Sequence, residues 1–446
     1  MAYGNPSSSS LKSRLEGYSR VDKDFWAFRG SGAREHAHAY FQYPAMMVPQ
    51  MQGELLSAAI QDDSTIKHVY DPFVGSGTAL TEAMMQGCDF TGQDINPLAI
   101  LLCRAKAIPH YCSSLEEKLH SLIAAFQSDR GQRYEVSFHN QRKWFRRDVI
   151  IQLSRIRRAI RAEPGLWARR FFWVAMAETV RLTSNARTST FKLHARPFDE
   201  QSSRLLDPFQ MFVATCRRNL ENLRKQKSLL SEKGFLDRGV YSGSVETMIA
   251  DTSAPNDATV RQCDLLITSP PYGDNVSTIP YGQHSYLPLQ WIDLTDIDRN
   301  VDPNFLRSTH EIDHRSLGGS RAIENIDVER LTELSSSYRR VSRLLASEPR
   351  DRLARVTAFC RDLEKSLTSI LSNLRPGALM IWTVGNRRVA NHPIPLDKML
   401  QEFLTARGST AVCTIARRIP TKRTALRNNI ATTMRRETVV VMRNST

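Results

Sequence analysis

Asp71-Pro-Phe-Val-Gly-Ser-Gly-Thr78 is the stretch on which the fold turns. Before it, Ile66-Lys-His-Val-Tyr70 has the composition of a short buried strand, and after it Ala79 to Gln86 has the apolar spacing of a helix. Strand, glycine turn and helix in that order make a βα unit. Gly75 and Gly77 stand where the chain must turn tightly and approach a ligand, with the free N–H groups of the helix start behind them. A second strand, Asp89 to Gln93, runs into Asp94, which follows Asp71 by 23 residues. A carboxylate at the end of the second strand suits the two hydroxyls of a ribose. The spacing is neither GxGxxG nor the phosphate loop GxxxxGK followed by Ser or Thr. That disfavours NAD and nucleoside triphosphates and leaves another nucleoside-bearing cofactor.

Outward from this unit, strand-like runs recur at Gly239 to Tyr241, Asp264 to Thr268, Ala378 to Val384, Ala411 to Ala416 and Glu437 to Met442, the last two as a hairpin across a long loop. Strands separated by helix-length segments predict an open α/β sheet with ligands outside the carboxyl ends of its strands. Residues 105–235 are mostly helical in pattern and residues 275–350 are polar and loop-rich, so both are expected as insertions at the rim. The expected organisation is a lead-in at 1–35, a cofactor half at 36–104, a helical insertion at 105–235, and a catalytic half at 236–446 carrying the second insertion.

The 446 residues suffice for a large core, and no apolar run approaches the roughly 20 residues that span a bilayer. The N-terminal MAYGNPSSSSLKSR lacks the apolar segment of a secretory signal and is expected to be disordered, which favours the cytoplasm. Seven scattered cysteines, without CxxC pairs or nearby histidines, predict free thiols and no metal site. A net charge of +15 points to a polyanionic partner. It is clustered: Gln141 to Arg170 carries ten basic residues, and Ile415 to the end carries eight.

DPFVGSGT resembles the cofactor motif of the DNA amino-methyltransferase superfamily, and GQDINPLA is similar to the acidic motif after its second strand. The resemblance implies a Rossmann-like S-adenosylmethionine-dependent methyltransferase sheet with a largely helical insertion. It implies that Asp71, Phe73, Gly75, Gly77 and Thr78 line the methionine half of S-adenosylmethionine and that Asp94 holds the ribose. His38-Ala-Tyr-Phe-Gln-Tyr-Pro-Ala45 is similar to the segment that closes the pocket in some members, which adds Tyr43 and Pro44. A polar residue after the third strand contacts adenine in the family; Ser242-Gly-Ser244 stands there without the expected aspartate.

Thr268-Ser-Pro-Pro-Tyr272 follows an apolar strand and so falls at the carboxyl end of the sheet, with Thr268 beside the cofactor. An exocyclic base amine is a poor nucleophile because its lone pair is delocalised into the ring. Acceptors on its two protons draw the nitrogen toward tetrahedral geometry and free that pair. The Ser269 hydroxyl and the Pro270 carbonyl are the expected acceptors. Pro270 and Pro271 fix the loop, and Tyr272 offers a flat face to a base flipped out of the duplex. The run Ile279 to Trp291 either covers that base or packs the insertion.

An SPPY loop resembles the form usual for cytosine N4, whereas DPPY is more usual for adenine N6, so cytosine in double-stranded DNA is the expected target. Adenine N6, an RNA amine, and a catalytically inactive DNA-binding subunit are the alternatives. Since the chain ends soon after the last strand, recognition is expected from an insertion: residues 110–235, with basic helices on phosphates and Thr183 to Lys192 reading base edges. A restriction-modification or phage-defence setting, with a cognate endonuclease acting on the same site as partner, follows from the same resemblance.

Overall fold

The computed structural model describes residues 10–28, 35–254, 262–320, 322–419 and 436–445. Seven strands form one sheet: β1 (His68–Asp71), β2 (Asp89–Asp94), β3 (Val245–Ile249), β4 (Cys263–Thr268), β5 (Leu374–Gly385), β6 (Thr410–Arg418) and β7 (Arg436–Arg443). Their order across the sheet is β6-β7-β5-β4-β1-β2-β3. β7 runs antiparallel to both of its neighbours, and the remaining pairs are parallel. This is the open α/β sheet that the sequence predicts. The order reverses between β1 and β4, so the crevice for a ligand opens beyond Asp71 and Thr268.

Both faces of the sheet are covered, and the strands alternate between two cores. Val69, Leu265, Ile267, Ile381 and Val439 face one core, whereas Tyr70, Leu266, Met380, Trp382 and Val440 face the other. Because both sides are buried, these strands read as continuous apolar runs. On the first face lie α1 (Leu11–Val21), α2 (Pro49–Asp62), α3 (Thr78–Met85) and α4 (Pro97–Lys106). The insertion adds α5 (Cys112–Ser128), α6 (Arg147–Ala162), α7 (Leu166–Thr183) and α8 (Pro208–Glu232), followed later by α9 (Tyr281–Trp291). The second face is covered by α10 (Arg350–Ser372) and α11 (Leu396–Thr405).

Helix α7 is apolar nearly all round, with Phe171, Phe172, Trp173, Val174 and Met176 all buried. At about 1.5–3 kcal/mol for each large apolar side chain, that burial far exceeds what a solvated appendage retains. The helical insertion therefore shares the core of the sheet. Asn96 caps α4 by accepting from Leu98 N at 3.1 Å with Pro97 at the first helical position, and Asp207 caps α8 by accepting from Gln210 N at 3.0 Å. Each cap of this kind stabilises by about 1 kcal/mol.

Three expectations need correction. The lead-in is partly folded: α1 buries Leu11 and Leu15, and Trp26 is buried beside them, because these apolar residues follow the Ser10 cap that ends the polar run. Residues 275–350 hold α9 and the short helices Leu294–Ile297, Glu311–Arg315, Asn325–Leu334 and Ser336–Leu345. Pro288 inside α9 and the brevity of the others hid that pattern. The third strand is Val245–Ile249 rather than Gly239 to Tyr241, whose last two residues pair only with Leu236–Asp237. Gly239 has φ +82°, a turn conformation, and the true strand is half-exposed at the sheet edge and so lacks an apolar run.

Among the described residues no helix is long and apolar enough to cross a membrane. All seven cysteines are buried, and among the described residues none forms a disulfide.

Candidate active site

β1 and β4 end side by side. Asp71 and Thr268 are both fully buried there, and Thr268 Oγ1 donates to Asp71 Oδ1 at 2.5 Å. Phe73 N donates to the same oxygen at 3.0 Å, and among the described residues no group bonds Oδ2. Burial pushes the Asp71 carboxyl up to about 7, against the pull of the Thr268 hydroxyl, and the neighbouring Asp94 charge adds to the rise. An enclosed carboxyl with one oxygen left unbonded is unusual in a folded core and marks a place prepared for a polar ligand group.

The glycine turn closes over this point. Gly75 has φ +48° and Gly77 φ +73°, conformations that disfavour any residue with a Cβ. A Cβ on Gly77 would also stand 2.9 Å from Cys103 Sγ. Gly75 N donates to Asp94 Oδ2 at 2.9 Å, and Asn96 N to Asp94 Oδ1 at 2.8 Å, so the turn and the end of β2 are fastened together. Enclosure pushes Asp94 up to about 6 despite those amides. Tyr43 forms the facing wall: its hydroxyl accepts from Asn96 Nδ2 at 3.1 Å, and its ring lies 5.7 Å from that of Tyr281.

These elements surround a partly open cavity. Of the residues expected to bind cofactor, Tyr43, Pro44, Phe73, Gly75, Thr78 and Asp94 line it, while Asp71, Gly77 and Thr268 stand behind the lining. Ala250, Asp251 and Thr252 also line it, directly after β3. An aspartate, Asp251, thus follows the third strand at its observed position. Thr252 is locked by Gln93 Nε2 at 3.0 Å and by the Pro72 carbonyl at 2.9 Å.

Of the four loop residues, Ser269 and Pro271 line the cavity, whereas Pro270 and Tyr272 do not. Ser269 Oγ donates to Tyr272 Oη at 3.2 Å, and Tyr272 Oη donates to Glu437 Oε1 at 3.1 Å. Glu437 in turn pairs with the buried Arg417 at 3.2 Å. Burial, followed by the Glu437 charge, holds the Tyr272 hydroxyl neutral by raising its pKa. Glu437 and Arg417 are the residues that sequence reasoning missed. No sequence signal marked them as a pair, since they face each other only through the β6–β7 register. The next turn is equally fixed: the buried Asp274 accepts from Ser277 N at 2.9 Å and pairs with Arg387 at 3.2 Å. Gly273, at φ +154°, leaves room for the Arg387 guanidinium, onto which a Cβ would fall.

The basic helices expected to meet phosphates spend much of their charge inside the molecule. Arg158 pairs with Asp129 and Glu135, Arg157 with Glu135, Arg161 with Asp293 and Arg169 with Asp296, while Arg170 donates to the Asp296 carbonyl. These arginines stitch α6 and α7 to neighbouring loops. Of the C-terminal cluster, Lys422, Arg423, Arg427 and Arg435 lie outside the described residues.

The polar loop after α7 is different. An Ala186–Ala195 bridge folds it back on itself, and Leu193 N donates to Gln283 Oε1 of α9 at 3.1 Å. A second cavity of about 420 Å³ opens there, lined by Arg181, Arg187, Thr188, Thr190, Phe191 and Lys192 together with His284. His284 packs edge-on against both Tyr43 and Phe191, so one buried ring separates this cavity from the cofactor wall. Burial pushes His284 down to about 4, which keeps it neutral.

No family model matches the chain. A Type II methyltransferase of Kocuria varians, M.MvaI, is 29% identical over 463 aligned positions, covering 100% of this chain and 99% of that protein. The chain is thus a full-length relative of a methyltransferase. Coverage of both chains from end to end includes the insertions as well as the sheet, and supports methyltransferase activity for this protein. A solved rRNA methyltransferase, aviRa from Streptomyces viridochromogenes, matches with a TM-score of 0.30 and 12% identity over 90% of this chain and 86% of that one, too loosely to inform fold or function.

Proposed function

We propose that the protein transfers a methyl group from S-adenosylmethionine to the exocyclic N4 amine of cytosine in double-stranded DNA. The observation that carries the proposal is the Thr268–Asp71 hydrogen bond, which joins the catalytic loop to the cofactor motif across the switch point of the sheet. The Type II designation of the relative agrees with a DNA substrate and a restriction-modification setting. A cytoplasmic enzyme acting alongside a cognate endonuclease is the corresponding picture in the cell.

The residues fit S-adenosylmethionine in three respects. Gly75 and Gly77 leave a cradle that a Cβ would strain or fill. Asp71 Oδ2 is a buried acceptor without a partner among the described residues, suited to the ammonium of the methionine moiety. Asp94 is held by two backbone amides where it can accept from ribose hydroxyls, and Asp251 lines the wall where an adenine amine would come. When bound, the cofactor supplies an electrophilic methyl on a sulfonium.

This chain's own part is to hold the amine. Ser269 Oγ and the Pro270 carbonyl accept its two protons and localise its lone pair toward the methyl. Pro271 keeps that carbonyl extended, and Tyr272 stacks on the flipped base once its ring is positioned by Glu437. Thr268 holds the loop at the height of Asp71. The polar loop from Thr183 to Lys192 reads base edges, a role that the paired arginines of α6 and α7 are less free to share.

Calorimetry with S-adenosylmethionine and base-resolved sequencing of plasmid from expressing cells test this together. Micromolar binding and one modified cytosine context are expected, with modification lost in Ser269→Ala. Unmodified plasmid from a soluble protein that binds the cofactor contradicts it.

A further inference from the structure

Part of the cavity wall comes from the second insertion: Ile312, Arg315, Ser316 and Leu317 line it together with Ser269 and Pro271. This wall is fastened to α9, to α10 and to the turn that continues the catalytic loop. Gly282 N donates to Asp313 Oδ1 at 2.8 Å, Gly318 N donates to Asp362 Oδ2 at 2.8 Å, and a Cβ on Gly318 would stand 3.2 Å from Asp274 Cβ. Arg315 is the cation of that wall. Its Nη1 donates to Asp302 Oδ2 at 2.7 Å and its Nε to Glu311 Oε1 at 2.9 Å, while the guanidinium lies 4.5 Å from the centre of the Phe305 ring. Nη2 has no hydrogen bond among the described residues. Two carboxylates already offset the charge, so the group is a poor site for a further anion. Pinned by both of them and by an aromatic face, it is a directed donor with one edge open.

We infer that Arg315 is a base-selecting residue, its Nη2 donating to the carbonyl oxygen O2 of the target cytosine while Ser269 holds the amine at the other end of the same base edge. The inference rests on the proposed methylation of a DNA amine in this cavity. The edge of cytosine runs amine, bare ring nitrogen, carbonyl. Adenine shares the first two but presents a C–H where cytosine has O2, and so leaves the guanidinium edge desolvated and unpaired. Thymine and uracil offer the carbonyl but carry an oxygen in place of the amine. The Ser269 contact alone does not separate cytosine from adenine; a donor at O2 does.

The test compares wild type, Arg315→Met and Arg315→Lys on a duplex that carries the site mapped in expressing cells, with cytosine, 2-thiocytosine or adenine at the target position. Sulfur is a weak acceptor, so the wild type is expected to lose about tenfold in kcat/KM on the 2-thiocytosine duplex. Arg315→Met should lose about as much on cytosine and nothing further on 2-thiocytosine, and its preference for cytosine over adenine should fall by the same factor. Arg315→Lys, which keeps the charge without the open edge, should behave like the methionine variant. An unchanged cofactor Kd in both variants guards against a folding defect. Wild-type rates on cytosine in Arg315→Met, or a full 2-thiocytosine loss in that variant, overturns the inference. So does weakened cofactor binding, which would mark a contact to the cofactor, and so does an equal loss on every duplex with a shallower salt dependence, which would mark a phosphate contact. Absence of transfer by the wild type to cytosine in any duplex overturns the parent proposal instead.

Discussion

Thr268 Oγ1 and Asp71 Oδ1 stand 2.5 Å apart across 197 residues of sequence, and both are sealed from solvent. This contact joins the two strand ends that carry the motifs. It also leaves the second Asp71 oxygen buried without a hydrogen-bond partner among the described residues.

Thr268→Val keeps the shape and removes the donor. The expected cost is about 1–3 kcal/mol in urea unfolding, since a buried acceptor loses its partner. The variant should also push Asp71 further up, because the Thr268 hydrogen bond lowers its pKa. Equilibrium unfolding beside cofactor titration checks both effects; unchanged stability would show that the contact is incidental.

Gly77→Ala meets two obstacles, a left-handed φ of +73° and Cys103 Sγ at 2.9 Å from the new Cβ. Strain of about 1–2 kcal/mol is expected from the backbone alone. Cys103→Ala in the same chain should relieve the steric part only. Thermal melts of the single and double variants separate the two contributions.

Asp71 and Asp94 are raised by burial to about 7 and about 6, above the usual carboxylate range. Their folded forms therefore hold protons more tightly than the unfolded chain does. The stability they contribute is complete at low pH and is lost as pH rises through 6 to 7. On the proposed roles both carboxylates hold the cofactor ionised, so S-adenosylmethionine affinity should rise by well over tenfold between pH 5 and 7. Asp94→Asn should remove about tenfold of that rise and leave the share that Asp71 carries. Calorimetry across the pH range reads it directly, and a flat wild-type profile would disprove the link.

Glu437 holds the Tyr272 hydroxyl and is itself held by Arg417. Glu437→Ala should lower kcat about tenfold or more while leaving cofactor Kd unchanged, with Glu437→Gln recovering most of the loss because its carbonyl oxygen still accepts. Single-turnover kinetics distinguishes this from a folding defect, which would move both quantities.

Much of the fold was legible because buried parallel strands are apolar throughout and glycine turns cannot be replaced. The run from Asp71 to Thr78 and the strand before Ser269 carry those signals strongly. β3 was misread because an edge strand buries little: Val245–Ile249 alternates weakly, and its displacement hid Asp251 until the register was seen. α1 escaped because a single turn of buried leucines after a serine tract looks like a tail. The basic cluster from Gln141 to Arg170 was legible as charge but not as use, since the partners Asp129, Glu135, Asp293 and Asp296 come from distant segments. The pairing of Tyr272 with Glu437 depends on a hairpin register that spacing does not reveal.

Transfer of a labelled methyl group from S-adenosylmethionine to duplex DNA, followed by digestion and mass identification of the labelled nucleoside, tests the central claim most directly. N4-methyl-2′-deoxycytidine as the labelled product, absent with Ser269→Ala, is the predicted result. Label on a ring carbon, on an adenine amine, or on no DNA nucleoside at all would contradict it.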